Sequence, residues 1–141
     1  MPKEIKKTIA IKAPAAAVWD ALTNPEKIKL YLFGTETRTD WQVGSPIVFS
    51  GLWDGKPYED KGTILAIEPG KSVTYNYWSN MSGSDDIPAN YANITYALEE
   101  KPGETLLTVT QDGLKDDAAV ERSENDWGYV LDELRKVAEQ G

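Results

Sequence analysis

The clearest alternation of apolar and polar positions lies near the C-terminal end of the chain. Its apolar residues recur at offsets of 0, 3, 4, 7, 10 and 11, and they are Trp127, Val130, Leu131, Leu134, Val137 and Ala138. This spacing places them on one face of an α-helix, whose period is about 3.6 residues. Asp116 and Asp117 precede the stripe and Lys136 lies near its end, which is the charge order that the helix dipole favours. We therefore predict a long amphipathic helix that begins between Asp116 and Ser123.

A pattern of period two fills the middle of the chain. Five runs rich in β-branched and aromatic residues are typical of strands, and they span 47–53, 63–67, 73–78, 93–99 and 105–111. Apolar residues alternate within these runs, so one face of an antiparallel sheet is predicted to be apolar. The alternating Ile5, Ile9 and Ile11 predict a further half-buried strand, and residues 35–41 predict a weaker one.

Three dipeptides mark hairpin turns between these strands. Asp54-Gly55 is a pair that two-residue turns prefer, because both central positions adopt positive φ. Pro69-Gly70 and Pro102-Gly103 suit turns that place proline first and glycine second. Gly70-Lys71-Ser72 resembles the end of a phosphate-binding loop, but Leu65 stands where that motif requires glycine. We interpret it as part of a hairpin.

Two short helices fit between the first strand and the second. One is predicted over residues 15–22, with Pro14 at its start, and the other begins after the N-cap residue Asn24 and runs to about residue 32. The predicted order is therefore one strand, two helices, six strands and a long helix. A helix and a sheet that are each apolar on one face bury each other when the helix lies across the sheet. We expect an α+β fold in which about seven strands curl around the C-terminal helix, and one domain over residues 1–141.

Charge and composition exclude several classes of function. The 141 residues include 15 Lys and Arg against 23 Asp and Glu, which gives a formal net charge of −8. This balance argues against nucleic acid and anionic lipid as partners, because both are bound through clustered cations. The chain has no Cys and no His, which removes disulfides, thiol and imidazole catalysis, and zinc sites built from these residues. Without a signal peptide or a long apolar segment, we expect a soluble cytoplasmic protein with no membrane insertion.

Four segments in a fixed order carry a resemblance to a known family. They are Ala13-Pro14 followed by residues 18–23, then residues 40–44, then residues 62–69, and finally residues 127–134. Together they resemble homologues of the C-terminal domain of the activator of the heat-shock-protein-90 ATPase, within the START-like (SRPBCC) helix-grip superfamily. The resemblance implies a sheet that grasps the last helix, with a cavity between them. Superfamily members commonly bind lipids, sterols or polyketides, and a minority are cyclases or hydrolases. The eukaryotic activators instead dock on the chaperone, with an additional N-terminal domain.

Aromatic residues are the most informative feature for function, with five Trp, seven Tyr and two Phe. Tyrosine and tryptophan carry polar groups that need partners when buried, so a wall of these rings indicates a cavity for an amphipathic guest. The candidate ligand-binding residues are Phe49, Trp53, Tyr75, Tyr77, Tyr96, Trp127 and Leu131, with Tyr31 and Phe33 at the cavity mouth. The alternative is that the rings simply fill an ordinary core.

Other polar features are given a structural interpretation. Segments 80–92 and 113–124 are candidate lids over the cavity, or else surface excursions. Glu36, Arg38 and Asp40 are acid–base candidates that we prefer to read as an exposed charged edge. The pairs Asp85-Asp86 and Asp116-Asp117 are expected to be solvated or to cap helices.

The leading hypothesis is a non-catalytic protein that binds an apolar or amphipathic small molecule, with no cofactor, no metal and no catalytic residue. One alternative is a module that docks on a chaperone of the heat-shock-protein-90 type and stimulates its ATPase. A START-like cyclase or hydrolase is the other. We expect a monomer or a weak dimer.

Overall fold

The computed structural model of the chain describes residues 3–32, 34–53, 55–79, 85–87, 90–114 and 116–140, without the side chains of Lys3 and Trp53. The helices and strands within these residues follow the predicted order. They are β1 (Lys3–Ile11), α1 (Ala15–Thr23), α2 (Pro25–Tyr31), β2 (Glu36–Arg38), β3 (Pro46–Trp53), β4 (Lys56–Glu68), β5 (Ser72–Ser79), β6 (Ala92–Lys101), β7 (Glu104–Leu114) and α3 (Asp117–Glu139).

The strands form one seven-stranded antiparallel sheet in the order β1-β7-β6-β5-β4-β3-β2. Strands β2 to β7 follow one another as they do in the sequence, and β1 returns to pair with β7, where Ile9 lies opposite Leu107. The two short helices occupy the connection from β1 to β2. The predicted α+β, helix-grip architecture is confirmed: a sheet packs around a long C-terminal helix. Among the described helices, none is both long and apolar enough to cross a membrane.

The apolar faces predicted from the sequence meet in the interior. The fully buried side chains of the sheet's inner face include Ile47, Ile64, Val73, Leu107 and Val109. From α3, Leu134 and Ala138 join the same cluster, together with residues of α1 and α2. At the end of α3 the Glu139 Oε2 atom accepts a hydrogen bond of 2.9 Å from the Lys12 amide, just after β1. The C-terminal half of α3 is thus anchored in a solid core.

The three predicted hairpin turns are confirmed. Gly55, Gly70 and Gly103 follow β3, β4 and β6 respectively, and all three have positive φ, while Asp54 lies outside the described residues. In the second turn the Lys71 amide donates to the Glu68 carbonyl at 2.9 Å. Because β5 begins directly afterwards, the segment that resembled a phosphate-binding loop is a hairpin.

Strands β2 and β4 differ from their predicted lengths. Strand β4 begins at Lys56 rather than at residue 63, because its polar first half pairs residue by residue with β3. Strand β2 covers only Glu36–Arg38 of the predicted 35–41, and it forms an outer edge of the sheet. The side chains of Glu36, Arg38 and Asp40 are exposed there, in agreement with a charged edge.

Segment 113–124 is not a loop, so its interpretation as a lid is wrong. Strand β7 runs to Leu114 and α3 begins at Asp117, within the predicted interval. The helix starts this early because the Asp116 side chain accepts a hydrogen bond of 2.8 Å from the Ala119 amide. The first two turns of α3 are therefore regular helix where a lid was expected.

Candidate ligand-binding cavity

A cavity of about 570 Å³ lies between the inner face of the sheet and the N-terminal half of α3. Strands β3 to β7 supply one wall, and α3 supplies the other between Ala119 and Val130. A surface groove of similar volume, about 590 Å³, lies beside Lys12 and the turn between β6 and β7. That groove is lined by charged residues, proline, alanine and glycine, without an aromatic ring, so the first cavity is the better candidate for an apolar guest.

Five rings form a continuous wall of the cavity, which we call the aromatic wall: Phe49, Tyr75, Tyr77, Tyr96 and Trp127. The ring centroid of Phe49 lies 5.7 Å from that of Tyr75 and 6.3 Å from that of Tyr77. Tyr96 continues the series, 6.4 Å from Tyr75 and 5.8 Å from Trp127, which it meets edge to face. These are ordinary aromatic packing distances, so the rings hold one another in place around open space.

The tyrosine hydroxyls of the aromatic wall are neutral at physiological pH. Burial raises the pKa of Tyr75, Tyr77 and Tyr96 above the usual 10.0, because a phenolate loses its hydration there. Interaction between Tyr75 and Tyr96 also affects both pKa values, lowering that of Tyr75 and raising that of Tyr96. Tyr77 donates to Asp60 Oδ2 at 2.5 Å, and the charge of Asp60 raises the Tyr77 pKa further.

Asp60 brings a carboxylate into the lining of the cavity. It lies on β4 opposite Phe49 and is half-buried. Its Oδ1 atom is buried and has no hydrogen-bond partner among the described residues. Nothing in the sequence pattern singled out Asp60, because it falls in the polar half of β4 that was not predicted as strand.

Gln111 of β7 and the start of α3 form a second polar feature. The Gln111 Oε1 atom accepts hydrogen bonds from Trp127 Nε1 at 2.6 Å and from Ser123 Oγ at 3.3 Å. Arg122 and Asp126 also line the cavity, at exposed positions of α3. Sequence reasoning missed Gln111 and Ser123, although both continue apolar stripes that had been recognised.

The remaining predicted site residues lie elsewhere. Leu131 does not line the cavity, because it is one position beyond Val130 and is buried in the core. Tyr31 is not at the cavity mouth: it is buried, donates a hydrogen bond to the Ala21 carbonyl at 2.9 Å and borders a separate void of about 20 Å³. Phe33 and the side chain of Trp53 lie outside the described residues, as does much of the candidate lid 80–92.

Of the acidic pairs, Asp116 has the expected capping role, whereas Asp86 takes part in a salt bridge that was not expected. Asp86 lies 2.5 Å from Lys61 Nζ in a salt bridge and accepts a hydrogen bond from the Tyr91 hydroxyl, and these contacts lower its pKa. Asp116 caps α3. In the part of the chain that the structure describes, no group of three or more acidic side chains is placed to hold a metal ion.

Comparison with known proteins gives a family and several related folds. The family model described as Activator of Hsp90 ATPase homolog 1-like protein matches residues 12–139. No curated protein matches the chain. Among solved structures, the chain is similar to ChR145 of Cytophaga hutchinsonii, with 38% identity over 98% of this chain and 94% of that one, and a TM-score of 0.86.

Two more distant structures share the fold. One is the Aha1 dimer of Colwellia psychrerythraea, with 18% identity over 97% of this chain and 96% of that one, and a TM-score of 0.77. The other is CalU16 of Micromonospora echinospora, with 23% identity over 97% of this chain and 76% of that one, and a TM-score of 0.75. The helix-grip architecture is therefore common to proteins of very different sequence.

Proposed function

The chain belongs to the family of Activator of Hsp90 ATPase homolog 1-like proteins, and on this premise we propose that it binds an apolar or amphipathic small molecule between its sheet and α3. The observation that carries the proposal is the cavity of about 570 Å³ with its aromatic wall. Ligand sites typically have volumes of about 300–1,000 Å³ and combine apolar surface with a few placed polar groups. Binding of this kind requires no cofactor.

The chemistry of the lining favours an amphipathic guest over a pure hydrocarbon. Ring faces of Phe49, Tyr75 and Tyr96 offer apolar contact, while Asp60 and Gln111 offer hydrogen bonds at two sides of the same space. A guest without polar atoms would leave the Gln111 amide without the water that otherwise solvates it, at a cost of about 1–3 kcal/mol.

The direct test is native mass spectrometry and thermal unfolding against a panel of lipids, sterols and polyketides. A ligand at one hundred times its Kd stabilises the folded state by about 2.7 kcal/mol, so a true guest raises Tm. If no compound is retained in the gas phase and none raises Tm, the proposal is wrong.

A pair of variants separates cavity binding from binding elsewhere. Ala119 lines the cavity, whereas its neighbour Ala118 is exposed on the other side of α3. Ala119→Phe places a ring inside the cavity and is expected to weaken binding at least ten-fold, while Ala118→Phe leaves the affinity unchanged. Equal effects of the two substitutions would place the guest outside the cavity.

Asp60 favours a cyclase or hydrolase as a second candidate. A carboxylate that lines an apolar cavity is the type of group that acts as a general base, and its Tyr77 hydrogen bond holds it in one orientation. Guests found in the panel can be incubated with the protein and followed by mass spectrometry for a change in mass. Under this alternative Asp60→Asn abolishes turnover and retains binding; unchanged guests with the wild-type protein would remove it.

The chaperone alternative is supported by family membership alone. It predicts that the protein stimulates the ATPase of the 90-kDa heat-shock protein from the same organism. Stimulation that survives Ala119→Phe would separate this activity from the cavity, and its absence at saturating concentration would contradict the alternative.

A further inference from the structure

We propose that the side-chain amide of Gln111 selects guests that carry a neutral carbonyl oxygen, such as ketones, esters or quinones with an otherwise apolar skeleton. The inference rests on the proposed function, because it assigns a class of ligand to the same cavity. It follows from the hydrogen bonds that Gln111 already makes, from those it still lacks, and from the charges around it.

The orientation of the Gln111 amide is fixed by its neighbours. Trp127 Nε1 lies 2.6 Å from the Gln111 Oε1 atom, and an indole nitrogen is a hydrogen-bond donor only. Rotating the amide by 180° would exchange its oxygen for its NH₂ group and place that group against the N–H of Trp127. Ser123 donates to the same oxygen at 3.3 Å, so both acceptor positions of the oxygen are occupied and the NH₂ group points away from α3's donors.

The NH₂ group of Gln111 faces the cavity without a partner. Gln111 shares a face of β7 with Leu107 and Val109, which are buried toward the interior, and it lines the cavity. Its nitrogen has no hydrogen-bond partner among the described residues. The unpartnered side-chain atoms of those residues that are fully buried are Thr37 Oγ1 and Asp60 Oδ1, and the Gln111 nitrogen is not one of them. The nitrogen therefore keeps accessible surface, and on this face of the strand that surface opens into the cavity.

The surrounding charges favour a neutral acceptor over an anion. The charged groups that line the cavity are Asp60, Asp126 and Arg122, which sum to one negative charge. A carboxylate guest would meet this excess of negative charge, while a carbonyl group would not. An uncharged amide donor satisfies a carbonyl oxygen, and the aromatic wall accommodates the hydrocarbon skeleton beside it.

The experiment compares 9-fluorenone with fluorene, which share one planar skeleton and differ by a carbonyl group. The wild-type protein is expected to bind fluorenone about three- to ten-fold more tightly, the range that corresponds to one net hydrogen bond. In the complex, the infrared C=O stretching band of fluorenone is expected to move to lower wavenumber than in an apolar solvent. The affinity ratio and the band shift are both measured on the wild-type protein, so this part of the test does not require a folded variant.

Gln111→Glu then removes the donor and keeps the acceptor. A carboxylate still accepts from Trp127 and Ser123 but has no N–H at neutral pH. The ratio of the affinities for fluorenone and fluorene is therefore expected to fall to about one, and the C=O band is expected to return to its position in an apolar solvent. Arg122→Met removes the second donor at the cavity: if the preference for fluorenone and the band position persist in this variant, the guanidinium is not the partner of the carbonyl group. Circular dichroism verifies that both variants fold.

Other outcomes would contradict either the role of Gln111 or the proposed function. Equal affinities with an unshifted band in the wild-type protein would overturn the role of Gln111 and leave cavity binding intact. Loss of the preference in Arg122→Met but not in Gln111→Glu would overturn it in favour of the guanidinium. If neither compound binds, and the wider panel also fails, the proposed function itself is wrong.

Discussion

At Gly62, strands β4 and β5 approach so closely that no side chain fits. A Cβ atom there would lie 1.7 Å from the Asn76 carbonyl oxygen, which belongs to the backbone and cannot rotate away. The Asn76 side chain also accepts a hydrogen bond of 2.7 Å from the Thr63 amide, which ties the two strands at this point. The close approach therefore sets the geometry of the sheet directly beside Asp60.

We predict that Gly62→Ala destabilises the fold by about 1–3 kcal/mol, the usual cost of overpacking. Gly128→Ala is the matched control, because Gly128 lies inside α3 and a Cβ there meets only Lys7 Nζ, at 3.6 Å. Removing a glycine from a helix stabilises it by about 0.5–1 kcal/mol. Urea unfolding of both variants checks the prediction, and a loss of stability in both would contradict it.

Single residues also explain why the candidate site was only partly predictable. The aromatic members were found because strand alternation places Phe49, Tyr75 and Tyr96 on the apolar face. Asp60 and Gln111 occupy equivalent inward positions, but a polar residue interrupts the apolar pattern from which such positions are recognised. Local rules fail most often where a protein's function requires an exception to them, and under the proposed function these two residues are such exceptions.

Among the elements, α3 depends on Asp116, the residue that caps its N-terminus. Asp116 accepts a hydrogen bond from the Ala119 amide at 2.8 Å and places a negative charge at the helix N-terminus. We predict that Asp116→Ala lowers the free energy of unfolding by about 1 kcal/mol, while Asp116→Asn, which keeps the cap, costs much less. Chemical denaturation monitored by circular dichroism measures both; equal losses would show that the cap bond is not what matters.

Element boundaries were predictable where turn chemistry or capping defines them. The glycines after β3, β4 and β6 and the cap of α3 carry such signals, and the corresponding ends were found. The start of β4 carries none: its first half is polar and becomes a strand only because β3 pairs along it. Pairing of this kind depends on tertiary structure, so local propensity does not reveal it.

At the scale of the whole molecule, buried tyrosines make stability sensitive to alkaline pH. Burial raises the pKa of Tyr31, Tyr75, Tyr77 and Tyr96 above the unfolded value of 10.0. Below pH 10.0 both states hold these protons, so the stabilising difference is fully present. Above it the unfolded chain holds fewer protons than the folded one, and stability falls as pH rises.

We therefore predict cooperative alkaline unfolding in which tyrosinate absorbance rises together with the loss of secondary structure. Tyr31→Phe removes one of the shifted groups without altering the lining of the cavity, so it is expected to make stability fall less steeply with pH. Denaturation midpoints measured across the alkaline range provide the test. If the four buried tyrosines ionise fully, as measured by tyrosinate absorbance, while the protein is still folded, the prediction is wrong.

Helix α3 packs in the core near its C-terminal end and lines the cavity near its N-terminal end. Leu134 and Ala138 belong to the core and Glu139 binds the Lys12 amide, whereas Ala119, Arg122, Ser123, Asp126 and Trp127 line the cavity. Under the proposed function, divergence among related proteins, or deliberate redesign, is free to replace one ligand with another over these few turns while the C-terminal anchor of the helix is kept.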